Sequence, residues 1–418
     1  MTAPEPFLAR AARWLAFGSA VSILFSIAVS QILLGLALVA LLLSGEKISL
    51  PPVKLPLALF VLGTFLALAF SAHPGEGLPQ IRKLYVLLEL VVVYSCVRDL
   101  RLVRYTFLTW SGFAAITGLR GVVQFIQKLQ QARALHRGDY AFYIGERITG
   151  FMSHWNTFAG QEMFALIILA AFLFFAPRTR RTWIWIACAA LMAVAILLAE
   201  TRAVWIGLFV AAVYLLWFWK RWLVAVMPVL VVVLYFVAPP VIRDRFDSLL
   251  HPKGVDSNAF RVITWRTGLQ MIEQHPVFGI GPEGPKYHFD EFIPADVPRP
   301  LPPGWYGHLH NIYLQYSAER GIPTMLILLW LLGKMLYDLW RGLRALPPGP
   351  SDQRFLLHGG IAVILAALAE GFFEYNLGDS EVLTMFLVVM ACAYQAVATL
   401  AAPDRARQSL QAQASLPD

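Results

Sequence analysis

The chain has 418 residues, 58% of them hydrophobic and 14% charged, and its mean hydropathy is +0.62. An average soluble domain carries about 25% charged residues, and here apolar runs recur at membrane-spanning length, so a soluble globular class is excluded. The formal net charge of +8 is spread over many short loops, which argues against nucleic acid as a partner.

Backbone in lipid must satisfy its own hydrogen bonds, and these runs are too long and too uniformly apolar for barrel strands. The expected fold is therefore an all-α polytopic membrane protein with about 12 transmembrane helices. In chain order the expected spans are about 11–27, 29–45, 53–71, 82–97, 103–127, 155–175, 182–198, 202–219, 221–238, 311–333, 355–373 and 381–400. Four sections follow: 1–237 with the first nine helices, 238–310 as a large and partly helical loop, 311–402 with the last three helices, and a polar tail over 403–418 expected to be disordered. The first run lacks a small-residue cleavage site and reads as a retained helix. Cys96, Cys188 and Cys392 fall in or beside apolar runs without metal-ligand spacing, and read as small buried hydrophobes.

Numbering the loops alternately places just over half of the 34 basic residues on one side, from Arg10 and Arg13 through Arg98, Arg101 and Arg104 to Arg405 and Arg407. By the positive-inside rule both termini are expected to be cytoplasmic and 238–310 to lie on the opposite side of the membrane. Most of the other basic residues then lie outside, against the bias: Arg82, Lys83, Lys128, Arg133, Arg137, Arg147, Arg202 and those of the long loop. External positive charge of this kind is expected where an anionic ligand is held; a surface for membrane headgroups is the plainer alternative.

Three stretches carry candidate chemistry. Glu200-Thr201-Arg202 is a very short turn between two spans, where a partly buried guanidinium makes a strong oxyanion clamp; a simple Glu200–Arg202 pair is the competitor. Residues 258–274 have roughly helical spacing, which puts Arg261 and Trp265 on one face so that the indole can brace the guanidinium. His310 begins the tenth span, followed by Asn311 and Tyr313, with His308 two residues earlier. An imidazole there can take a proton near neutral pH, or simply anchor the loop by hydrogen bonds. Asp290, Glu291 and Asp296 form no ligand ladder, so no metal site is expected. The turn from Glu370 through Glu374 to Asp379 and Glu381 brings carboxylates to the same face, either to orient arginines or to hold an acceptor hydroxyl.

His310-Asn311, nine residues, Gly321, two residues and Thr324 resemble the histidine pattern of the O-antigen ligase and O-antigen polymerase superfamily. The upstream arginine, tryptophan and His-Pro…Gly-x-Gly turn of that family is matched by Arg261, Trp265, His275-Pro276 and Gly279-Ile-Gly281. Arg202 fits the family's short arginine turn, and Arg147, Gly150 and Asn156 fit a further segment. The resemblance implies a C-type glycosyltransferase fold in the bacterial inner membrane, with a periplasmic active site and no cofactor or metal. It implies an undecaprenyl-diphosphate-linked O-antigen donor and a lipid A–core acceptor, met among membrane lipids. Under it His310, Arg261 and Arg202 are the catalytic candidates, with Arg147, Arg266, Asn311, Tyr313 and Trp265 as substrate contacts. A polymerase joining undecaprenyl-linked repeat units is the alternative within the family, and a transporter of an anionic lipid or solute the alternative outside it.

Overall fold

The computed structural model describes residues 6–136, 138–250 and 258–414. Arg137, Lys253 and the expected tail's last residues, 415–418, lie outside them. Every regular element among the described residues is helical. In order these are α1 (Phe7–Ser22), α2 (Ile27–Leu43), α3 (Lys54–Ala69), α4 (Pro74–Lys83), α5 (Leu88–Cys96), α6 (Leu100–Ala134), α7 (Asp139–Gly145), α8 (Trp155–Phe175) and α9 (Thr182–Leu198). Then come α10 (Arg202–Lys220), α11 (Trp222–Val237), α12 (Pro240–Leu250), α13 (Asn258–Gln274), α14 (Gly284–Tyr287), α15 (Ile312–Ala345), α16 (Asp352–Glu370) and α17 (Ser380–Ala414).

Five helices are long and apolar enough to cross a membrane: α8, α10, α15, α16 and the Ser380–Leu400 part of α17. The apolar helices α2, α3, α9 and α11 are shorter, at 16 or 17 residues. This is the pattern of a multi-pass membrane protein, although twelve helices of full spanning length are not present among the described residues. The expected fourth span departs most. It is divided into α4, a 3₁₀ turn over Leu84–Leu87 and the nine-residue α5. Pro79 inside α4 removes a backbone donor, and the tighter 3₁₀ turn lies between α4 and α5. The tail also differs, because α17 continues past Pro403 to Ala414 through a stretch rich in alanine, glutamine and arginine, all good helix formers.

Helices α8, α16 and the Ser380–Leu400 part of α17 pack on one another at the centre and are mostly buried, which is why their apolar residues follow no single stripe. By contrast α11 has no buried residue and presents Val229, Val232, Phe236 and Val237 outward, a lipid-facing composition.

The loops sort to two ends of the bundle. At one, Arg98 meets Lys47 and Glu46, Ser95 meets Ser49, Arg104 meets Asp352, and Ser351 N–H donates to the Phe175 carbonyl. At the other, Arg147 meets Glu200, Asn156 and Arg261 meet Glu374, and Ser71 donates to the Ile280 carbonyl. The first set of loops falls on one side of the alternate numbering and the second on the other.

One join at this second end fixes the long loop. Helix α15 breaks at Gly321, whose φ of 77° and ψ of 161° leave the helical region. A Cβ there would lie 1.9 Å from the Val277 carbonyl oxygen, so only glycine fits. The backbone of the His275–Gly281 turn fills the break: Ile322 N–H donates to Pro276 at 2.8 Å, and Ile280 N–H to Ala318 at 2.8 Å. Gly279 is required equally, since its Cβ would sit 2.4 Å from the Glu319 carbonyl carbon. The glycines of the two distant sequence patterns thus form one backbone contact.

Candidate active site

Glu374, in the turn between α16 and α17 and only 5% exposed, is the centre of a convergent group. His310 Nδ1 lies 3.2 Å from its Oε1, and the Tyr375 N–H also donates there at 3.2 Å. Asn156 Nδ2 donates to Oε2 at 2.9 Å, and Arg261 Nη2 pairs with Oε2 at 3.4 Å. Burial would raise this carboxyl pKa, but His310, by charge and hydrogen bond, then His308 and Arg261 hold it well below the usual carboxylate range. Glu374 is therefore a carboxylate, able to accept from every one of these donors.

His310 is buried and has a left-handed φ of 48°, a strained setting for a non-glycine residue. Its Nε2 lies 3.1 Å from the Trp305 carbonyl oxygen. Glu374 and that carbonyl thus stand one against each ring nitrogen. His308 differs. Its Nδ1 accepts the His310 backbone N–H at 3.2 Å, and its Nε2 stands 3.9 Å from Glu374. Burial first, then the charge of His310, bring the His308 pKa down to about 4. At neutral pH it is uncharged, with its lone pair committed to the backbone.

Arg261, on α13, reaches this group from one side and a set of buried arginines from the other. Arg245 Nε donates to the Glu200 carbonyl at 3.1 Å, and Arg147 Nη1 approaches the same oxygen at 3.5 Å. Glu200 has a φ of 50° and directly precedes Thr201 and the buried Arg202 at the start of α10. Arg147 also lies 4.3 Å over the Trp155 ring. Burial first, then repulsion from Arg245 and Arg261, lower the Arg147 pKa to about 9 despite Glu200. Arg147 and Arg245 on one carbonyl oxygen, with Arg261 near enough to lower the Arg147 pKa, give a cluster of guanidinium groups suited to an anion.

The structure brings His310, Arg261 and Arg147 into this region, with Arg202 beside Glu200. It treats the other expected contacts differently. Arg266 is turned outward and holds Asp296 by two bonds of 2.7 and 2.8 Å. Asn311 caps α15: its Oδ1 accepts from Tyr313 N–H at 2.9 Å and Leu314 N–H at 3.0 Å, while its Nδ2 donates to Phe372. Tyr313 OH donates to the Leu368 carbonyl at 2.7 Å. Trp265 packs near Phe373 at 6.2 Å, and Arg261 directs Nη2 to Glu374. Arg261 and Trp265 share α13, and Arg261 has Glu374 as its carboxylate partner.

A cavity of about 300 Å³ opens beside Glu374. Its wall includes Gln80 and Lys83 of α4, His154, Asn156, Lys286, Trp305, His308 and Glu374. Glu374 and the lysines Lys83 and Lys286 were visible in the sequence only as charges on external turns; nothing in their local pattern marked them as facing one cavity. His308, His310 and Glu374 place possible ligand atoms within 4.8 Å of one another, and are the residues here that could hold a metal. In the structure those atoms are engaged with one another and with backbone.

Residues 187–329 match a family model described as O-antigen ligase. The match supports membership of the O-antigen ligase and polymerase superfamily, and with it a ligase- or polymerase-type role in lipopolysaccharide biosynthesis. A comparison with curated proteins found no match. The matched segment contains Arg202, the long loop and His310, whereas Glu374, Arg147 and Asn156 lie outside it.

Proposed function

We propose that this protein is an O-antigen ligase that moves a glycan from undecaprenyl diphosphate to a sugar hydroxyl of lipid A–core, on the periplasmic side of the bacterial inner membrane. The observation that carries this reading is His310 on Glu374, beside a cavity and bordered by buried arginines. In the reacting form Nδ1–H donates a hydrogen bond to Glu374, the ring is neutral, and the Nε2 lone pair takes the proton of the acceptor hydroxyl. In the structure Nε2 faces the Trp305 carbonyl, so the acceptor hydroxyl must replace that carbonyl. His308 is a poor substitute, because its free nitrogen already accepts a backbone N–H.

As the proton moves to His310, the acceptor oxygen bonds to the anomeric carbon of the donor. The bond from that carbon to the phosphate oxygen breaks, and its electron pair leaves with undecaprenyl diphosphate. Arg261, Arg202 and Arg147 would neutralise the departing charge, which makes a metal unnecessary in principle. A single displacement inverts the anomeric configuration. Arg266, Asn311, Tyr313 and Trp265 then support the loop and the start of α15.

The test is transfer by purified protein in detergent, with one defined polyprenyl-diphosphate donor and two acceptors in parallel. Inverted product on lipid A–core supports the ligase. Product formed only on a polyprenyl-linked repeat unit would make the protein a polymerase, and retained configuration would exclude direct attack. Transport without transfer to either acceptor would overturn the enzymatic reading.

A further inference from the structure

A second histidine–carboxylate group stands outside the cavity wall, where the turn after α3 meets the long loop. His73 precedes α4, Glu76 lies in its first turn, and His288 follows α14. His288 Nε2 is 2.9 Å from Glu76 Oε2, and its Nδ1 is 2.7 Å from Glu291 Oε1. The His73 and His288 rings stack with centroids 4.5 Å apart and planes 16° from parallel. Possible ligand atoms of His73, Glu76 and His288 all lie within 4.8 Å of one another.

We propose that His73, Glu76 and His288 bind a divalent transition-metal ion of the zinc type, with Glu291 orienting His288. Two imidazoles and one carboxylate suit such an ion, whereas magnesium and calcium favour all-oxygen sets. With Nδ1–H donated to Glu291, His288 turns the Nε2 lone pair toward Glu76, and the ion takes the place of the proton between them. Bonds of about 2.0–2.1 Å in a tetrahedral site give ligand edges of about 3.4 Å. The Glu76–His288 contact is near that already, and His73, exposed on a turn, must close by at most about 1.4 Å and rotate out of its stack on His288 so that its in-plane lone pair meets the ion. Solvent completes the fourth position.

The placement gives such an ion a mechanical role. Helix α4 carries Gln80 and Lys83 to the cavity wall, and α14 carries Lys286 to it. The ion would pin these two walls at a join already formed by Phe70 stacked on Phe278 at 4.3 Å and by Ser71 on the Ile280 carbonyl at 3.1 Å.

Full-length protein in detergent, stripped with a chelator and titrated with Zn²⁺ alone, tests this by calorimetry and by metal counted after dialysis. His73→Ala should remove one bound ion per chain. Glu291→Gln should weaken that ion by about 10–100-fold, the cost usual for losing an orienting carboxylate. His308→Ala with His310→Ala should leave it in place, and excess Mg²⁺ should not displace it. Absence of Zn²⁺ binding by the unmodified protein would overturn the proposal. So would binding that survives His73→Ala and disappears with the His308 and His310 substitutions. These measurements read metal alone, so their failure leaves the glycan-transfer reading untouched.

Discussion

Two histidine–carboxylate groups lie at the same end of this bundle, and they differ mainly in how much water reaches them. Around Glu374 the side chains of His310 and the carboxylate itself are 8% and 7% exposed, and Arg261 and Asn156 crowd the same two oxygens. Around His288 the Glu76 and Glu291 side chains are 37% and 65% exposed. Charges in the first group are weakly screened, so each partner's state depends strongly on the others. The second is screened and adjustable, which suits a clip and not a reaction centre. The comparison teaches that the same residue types acquire different chemistry from their surroundings.

The largest effect should follow from removing the base in the buried group. His310→Ala is expected to lower the rate of transfer by about 10² or more, while donor binding changes little. His308→Ala should cost much less, since its lone pair is already used. Near-normal turnover by His310→Ala, measured with defined donor and acceptor, would erase the functional distinction between the two groups. Arg261→Lys comes next. It retains charge but loses the planar fork that reaches Glu374 and that the proposed reaction turns on the diphosphate, and should lower transfer by about tenfold. An unchanged rate at low donor concentration would remove Arg261 from the leaving-group site.

Much of this contrast was legible along the chain and part of it was not. Helical periodicity over 258–274 marked α13, and the histidine pattern pointed to His310, whereas the break at Gly321 falls inside a span expected to be continuous over 311–333. Glu374 is 64 residues from His310 and 113 from Arg261, and only the packing of α16 and α17 against the long loop joins them. Local spacing carries no trace of that meeting. Arg266 shows the converse, since it sits on the same helix as Arg261 and has the same charge, yet it faces outward. The division of the fourth span was also obscured, because hydropathy reports apolarity and not the 3₁₀ turn after Lys83.

A smaller effect should appear as pH dependence of stability. The His308 pKa is about 4 in the folded protein against an ordinary 6.5, so the unfolded chain binds more protons between those values. Stability is therefore full above about pH 6.5 and falls as pH is lowered toward 4, by about 3 kcal/mol at most. Glu374, whose carboxyl pKa is depressed, adds its own loss only at still lower pH. His308→Asn should flatten the thermal midpoint between pH 6.5 and 4 relative to the unmodified protein. Parallel curves for the two would mean that His308 is not held neutral by burial beside His310.

The smallest effect is expected at Arg266, and it sharpens the comparison because it separates charge from position on one helix. Arg266 and Asp296 are 44% and 67% exposed, so water and salt screen the pair despite its short bonds. Losing it leaves no buried carboxylate uncompensated, in contrast to Arg261 and Glu374, whose side chains are 17% and 7% exposed. Arg266→Ala should hold transfer within about twofold of the unmodified protein, with a similar donor KM. Arg261→Ala under the same conditions should lose far more. Equal losses from the two alanine substitutions, at matched amounts of folded protein, would show that general positive charge on α13 governs the donor. Burial against Glu374 would then no longer account for the role given to Arg261.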